Sequence, residues 1–284
     1  MSRRRRRSRR RDRDECANAE APVAVAWIFR VKERPPSHPL IVHMAAPDHL
    51  DDWVKEVPQA ARLLAEHIWP GLLTPVLRRG HRVPLEASGG VTAPSANRFG
   101  SVSPTPADHV RAELGDAVDF VLDGGSCRGG VESTIVDVTG EAQSILRPAG
   151  VTREDLEAVL GHPVAIPPTS GVRVPGQHPS HYAPRARVVL IEPETVVAEA
   201  EFAQEAGHQV GVLLPPFLAD AGVKAHAVVA PARFPGHLRA CAGFLRELDR
   251  QGCDLIVASL PVKEGLGPAV ANLLRRAVGP RPTA

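Results

Sequence analysis

The alternation of apolar and polar positions divides this chain into three regions. From Pro22, "PVAVAWIFRVKER" places Val23, Ala26, Trp27 and Val31 at helical spacing, and "HPLIVHMA" follows as a short β-rich run. A second helical stretch, "APDHLDDWVKEVPQAARLLAEHIWP", is interrupted at Pro58, a residue suited to the start of the next segment. "LLTPVLRR" and "GGVTAPSAN" read as strands, "TPADHVRAELGD" as a helix, and "AVDFVLDGG" and "STIVDVT" again as strands. Thr152, followed three residues later by Asp155, predicts a capped helix. A Pro-, Gly- and Ser-rich stretch with little periodicity then runs to Arg187. Beyond it, "RVVLIEPE", "HQVGVLLPP" and "CDLIVASLP" are buried-strand runs alternating with helical ones such as "HLRACAGFLRELDRQG", the signature of a small parallel α/β domain.

Composition sharpens this division. Phe, Trp and Tyr make up only 4% of the 284 residues while Pro and Gly number 28 and 24, so the cores are expected to be Val, Leu and Ala with many short connections. The net charge of +2 is uneven: residues 1 to 14 carry nine Arg against Asp12 and Asp14, a local 9 − 2 = +7, which leaves 2 − 7 = −5 for the rest. A self-repelling, low-complexity tail over residues 1–15 is expected to be disordered, and the remainder is mildly acidic rather than a basic nucleic-acid-binding body. Cys16, Cys127, Cys241 and Cys253 form no C-x-x-C pair, which argues against a zinc site and a secreted disulfide scaffold. No run of about 18 apolar residues suggests a membrane span, and a cytoplasmic protein is expected.

Three clusters carry candidate chemistry. In "KERPPSHPLIVH", Lys32 and Arg34 are two cations at a helix exit that Pro35 and Pro36 terminate, and His38 and His43 flank the strand "PLIV". In "APSANRFGSVSP", Ser95 and Asn97 are two residues apart and would face one side of an extended chain. Their short polar groups suit a phosphate, ribose or carboxylate, and equally an Asx- or Ser-type turn. In "DGGSCRGGVESTIVDVTGEAQSILRPAG", Glu132, Ser133 and Thr134 stand at a strand start, and Arg147, fixed before Pro148, could clamp a phosphate. The Gly-rich loop lacks the Lys-Ser/Thr ending of a P-loop, and no Ser-His-Asp or Cys-His arrangement is compelling.

Taken in order, K-x-R-P...H-P-L-I-V-H, W-P-G-x-L-T, A-P-S-A-N-R-F-G-x-x-S-P-T, G-V-E-S-T-I-V-D and "RPAG" resemble the YrdC-type threonylcarbamoyl-AMP synthases. "HYAP" and "EGLGPAVANLLRRA" are similar to the longer form with a C-terminal domain, and the resemblance spans roughly residues 16 to 279. It implies a YrdC-like twisted mixed sheet with helices over residues 16–162, a linker or lid over 163–186, and a smaller Rossmann-like parallel α/β domain over 187–284. It also implies adenylyl transfer: L-threonine, bicarbonate and ATP give L-threonylcarbamoyladenylate and pyrophosphate, for N6-threonylcarbamoyladenosine formation in tRNA. By resemblance Lys32 and Arg34 serve the chemistry, and Arg34, His38, Ser95, Asn97, Ser103, Arg147 and Tyr182 meet ATP. Threonine would be met by His43, Ala93, Ser133, Thr134 and Arg82. Mg2+ would accompany ATP, and the tRNA threonylcarbamoyl-transferase machinery would take the product.

Two departures from the family pattern are visible. The P-T-E-T-V-Y-G-L-G-like strand motif has no counterpart ahead of "CANAEAPVAVAWIF". "RRGHRVPLEASGGVTAPSAN" also passes almost directly from one family segment to another, so "HRVP" belongs either before that gap or to the R-x-P after it. The competing class is a catalytically impaired relative that binds RNA or nucleotide, with the Arg-rich tail as a phosphate-neutralising arm.

Overall fold

The computed structural model describes residues 17–19, 21–80, 91–127, 132–176, 182–214, 226–229 and 236–279. The Arg-rich tail and Arg82 lie outside the described residues. Helix α1 (Pro22–Lys32) has Pro at its first position and ends on Glu33 in the left-handed conformation, φ 54°. It buries Val25, Ile28, Phe29 and Lys32, whereas Val23 is 81% exposed. The helix is therefore where the periodicity put it, but turned onto a different face. Residues 22–29 are almost uniformly apolar and offer several stripes, and the bulk of Ile28 and Phe29 decides among them.

Strands β1 (Ala17–Asn18), β2 (Val42–His43) and β4 (Val91–Thr92) form a small antiparallel sheet in the order β1-β4-β2. Its register sets His43 opposite Val91. Strand β3 (Leu73–Val76), β5 (Thr134–Asp137) and β6 (Ser144–Arg147) form a second sheet, β3-β5-β6, parallel across the first pair and antiparallel across the second. Pro75 is accommodated because β3 is an edge strand. The expected mixed sheet is thus divided, among the described residues, into two three-stranded ones.

Helix α2 (Leu50–Trp53) stops before Pro58, which caps α3 (Gln59–Ile68). Ala61 and Leu64 of α3 pack on Leu73, Val136 and Ile145. Helix α4 (Ala107–Leu114) is followed by a 3-10 turn, Gly115–Ala117. The strand expected at "AVDFVLDGG" does not form. Val118 and Val121 pack on Ala96, Val110 and Leu114, while Phe120 and Leu122 are exposed. β-propensity is realised only beside a partner edge, and this stretch runs over a helix instead. Helix α5 (Arg153–Leu160) has the predicted capping box, Thr152 and Asp155 bonding reciprocally.

The C-terminal half is a four-stranded parallel sheet, β7-β10-β8-β9 (Arg187–Leu190, Leu255–Ala258, Val210–Leu214, His226–Val229). Helix α6 (Val196–Glu205) covers one face, and α7 (Gly236–Arg250) and α8 (Gly267–Ala277) build the core on the other. The connecting segment is stitched to both halves: Ala165 pairs with Ser144, Ala183 with Ser101, and the Asp249 carboxylate accepts the Arg185 and Ala186 N–H groups. Among the described residues no helix is long and apolar enough to cross a membrane.

Candidate functional site

The exit of α1 and the turn after β4 are built as one piece. Lys32 is only 3% exposed, and its ammonium donates to the main-chain carbonyls of Ser95 and Asn97, each at 2.5 Å, and to Asn97 Oδ1 at 3.5 Å. In return Phe99 N–H donates to Lys32 O at 2.7 Å, and Arg98 pairs with Glu33. Two main-chain carbonyls and an amide oxygen thus take up the donors of a buried cation.

Asn97 is likewise buried. Its Nδ2 donates to Ser101 O (2.8 Å) and Arg98 O (3.1 Å), and its N–H to Ser95 O (2.9 Å). The segment is a tight turn, so the extended-chain expectation that Ser95 and Asn97 share a face does not hold. Asn97 finds its partners within the chain, and its side chain shapes the turn.

Beyond Lys32 the character changes. The Nε of Arg34 is buried with no hydrogen-bond partner among the described residues, although Nη2 reaches Pro39 O at 2.5 Å and the guanidinium lies 5.9 Å from the Phe29 ring centroid. Burial, and then the nearby positive charge of Arg147, lowers its pKa to about 10. Two like charges brought together this way favour an anion between them. His38 sets its ring edge-on to Phe99, centroids 5.0 Å apart.

Arg147, 4% exposed, is aimed by main-chain acceptors: Nε and Nη2 donate to Ser133 O at 3.1 and 2.7 Å, and Nη1 to Pro175 O at 2.9 Å. Gly176, with φ +83°, lets the linker lie over it, because a Cβ there would stand 3.0 Å from Arg147 Nη1. Ser133 Oγ is 2.6 Å from Thr74 Oγ1 and 3.3 Å from Arg147 Nη2. Thr134 has no hydrogen-bonding capacity left over: its hydroxyl donates to Val151 O (2.7 Å) and accepts from the N–H groups of Ala149 (3.1 Å) and Val151 (2.9 Å). It fixes the start of β5, and with it Ser133, instead of facing a ligand.

Two groups to which the family resemblance assigned no role complete the picture. Glu132 accepts from Ser103 Oγ at 2.7 Å and from the Tyr182 hydroxyl, joining two predicted nucleotide contacts through one carboxylate. Tyr182 is 2% exposed at φ 63°, and burial, reinforced by Glu132, pushes its phenol well above the usual value. Thr74 is the other. Glu132 stood beside Ser133 in the sequence, whereas nothing local linked Thr74 to it. His43, although exposed as a residue, is crowded enough that desolvation lowers its pKa, and it bonds the Ala93 backbone. The structure thus brings together Lys32 with Ser95 and Asn97, Arg34 with Arg147, Arg147 with Ser133, Ser103 with Tyr182 through Glu132, and His43 with Ala93.

Fold and site define a two-domain α/β protein with a cationic corner of small polar groups where the two halves meet. A family profile described as telomere recombination matches residues 16–91 and 82–149, and one described as threonylcarbamoyl-AMP synthase, C-terminal domain, matches 151–279. The threonylcarbamoyl-AMP synthase of Pyrococcus abyssi is 35% identical, covering 93% of this chain and 87% of that one, and the enzyme of that name from Bacillus subtilis is 32% identical, covering 93% and 86%. The crystal structure of P. abyssi Sua5 complexed with L-threonine superposes with a TM-score of 0.84 at 33% identity, covering 93% and 86%. The chain belongs to the threonylcarbamoyl-AMP synthase family. Its alignment with the P. abyssi enzyme spans 302 positions, more than this chain contributes, so the relative carries internal residues without a counterpart here. The two profile matches overlap across 82–91, at the abrupt passage noted in the sequence.

Proposed function

We propose that this chain is the enzyme its family name describes, a nucleotidyltransferase forming L-threonylcarbamoyladenylate and pyrophosphate from L-threonine, bicarbonate and ATP. The observation that carries the reading is the apposition of Arg34 and Arg147, with the Arg34 Nε buried and unpartnered among the described residues. A polyphosphate relieves both the repulsion and the orphaned donor. The relative solved with L-threonine supports threonine as the second substrate.

The threonine amine adds to bicarbonate with loss of water to give a carbamate. A carbamate oxygen then attacks the α-phosphorus, forming the new O–P bond as pyrophosphate departs. Alignment and charge neutralisation suffice for such a step, and no covalent enzyme intermediate is needed. Arg34 and Arg147 neutralise the phosphates, and His38, Ser95, Ser103 and Tyr182 line the nucleotide. His43, Ala93 and Ser133 take threonine. Lys32 holds the turn that presents Ser95 and adds positive field. Asn97 and Thr134 position their neighbours. Mg2+ enters with ATP as part of the substrate, held by phosphates and water. The product passes to the tRNA threonylcarbamoyl-transferase machinery in the cytoplasm.

The test is incorporation of labelled bicarbonate into threonylcarbamoyl-AMP by the purified chain with MgATP and L-threonine. Label in product above a no-threonine control is expected. A folded chain that binds ATP and yields none would refute the reading.

A further inference from the structure

We propose that Arg246, on α7 of the C-terminal domain, is a positioning residue for the nucleotide half of the site. The inference rests on the reading of Ser103 and Tyr182 as nucleotide contacts given above. Residues 98–103 join the Ser95–Asn97 turn to Ser103, a loop whose first half, Arg98 to Ser101, is held by bonds to Lys32, Asn97 and Ala183. Its first N–H, of Arg98, donates to Glu113 Oε1 at 3.2 Å, and its middle carbonyl, of Gly100, accepts from Ala183 N–H at 2.9 Å. Its far end is held from the other domain. Arg246 Nε donates to Ser103 O at 3.3 Å, and Arg246 Nη2 donates to Val102 O and to Glu113 Oε2, the latter at 2.7 Å. One guanidinium thus closes the loop onto the same carboxylate that anchors its start.

This ion pair differs from those on the surface. The Arg246 and Glu113 side chains are 17% and 13% exposed, against 73% and 37% for Arg250 and Glu247 on the same helix. Exposed pairs contribute little, whereas a desolvated guanidinium donating in several directions fixes angle as well as distance. What it fixes is Ser103, whose Oγ donates to Glu132, the acceptor of the Tyr182 hydroxyl. Gly100, at φ 86°, is the hinge about which the loop end would swing if released. The threonine side, His43 against Ala93, precedes this loop and is held by β2 and β4. Release of Arg246 therefore weakens one substrate and spares the other, a split that loss of general stability does not produce.

Calorimetric titration of MgATP and of L-threonine into the full chain tests this in wild type, Arg246→Ala, Arg246→Lys and Arg250→Ala. Arg246→Ala should bind ATP about tenfold more weakly, the scale of one charged hydrogen bond, with threonine affinity in the folded fraction nearly unchanged and Tm lowered, because Glu113 is left desolvated without its partner. Arg246→Lys should fall between, because an ammonium keeps the charge and loses the fork, and Arg250→Ala should match wild type. Unchanged ATP affinity, or equal losses for both ligands, would overturn the proposal, and Arg246→Lys carries the same comparison if the Ala chain fails to fold. Wild type that binds ATP without making threonylcarbamoyl-AMP would refute the functional reading and leave the Arg246 result standing.

Discussion

The two halves of the molecule are held together by different means. Of the eight buried polar or charged residues among those described, seven lie between Lys32 and Arg147, and only Ser259 lies in the C-terminal half. The C-terminal half has a four-stranded parallel ladder with α7 and α8 packed on it, and Leu245, Leu248, Ile256 and Leu274 are essentially inaccessible. The N-terminal half has strands of two to four residues and its apolar residues are split into small clusters. There Lys32, Thr134 and Arg147 bond to main-chain groups and do what longer ladders do elsewhere. A half built this way is less economical as a scaffold, and it keeps cations and hydroxyls at fixed positions beside a site.

The largest effect that separates the halves comes from deleting one anchor in each. Lys32→Ala strands the Ser95 and Asn97 carbonyls and should cost about 3–5 kcal/mol in urea unfolding. Leu245→Ala should cost a similar 2–5 kcal/mol through its cavity. Only the first should also abolish ligand binding in the folded fraction, and equal ligand losses would break the comparison. Next, Thr134→Val removes a hydroxyl that makes three main-chain bonds and should cost about 2–3 kcal/mol, with Thr134→Ser close to wild type in the same experiment.

The smallest effect is with pH. His43 and His109 both have pKa values lowered from 6.5, in each case chiefly by burial, with Arg246 the next cause at His109. The unfolded chain therefore binds more protons than the folded one just below pH 6.5. Their contribution is fully present above pH 6.5 and is lost as pH falls towards the folded values. Tm should decline over that interval, and less steeply in a His43→Gln, His109→Gln double variant.

Local patterns made part of this legible. The α5 capping box and the break at Pro58 rest on contacts within a few residues, and strand β5 and the C-terminal alternation of strand and helix show in local composition and period. The face of α1 was not legible, because an almost wholly apolar helix lets its neighbours choose. "AVDFVLDGG" has strand composition and, among the described residues, no partner edge. Asn97 and Thr134 carry the motif signature of ligand contacts, yet their capacity is consumed by residues such as Ser101 and Val151, which only the folded turn brings near. Arg246 meets Glu113 across 133 positions, a pairing no local pattern contains.

The central claim is that Arg34 is held for a ligand, whereas Lys32, Asn97 and Thr134 are held for the fold. Replacing Arg34 by Gln removes the repulsion with Arg147 while the loop anchors remain. Measured together, Tm and MgATP affinity of Arg34→Gln should part company: Tm equal to or above wild type, and affinity lower by about tenfold or more. A fall in Tm with ATP affinity unchanged would place Arg34 among the structural anchors and contradict the account.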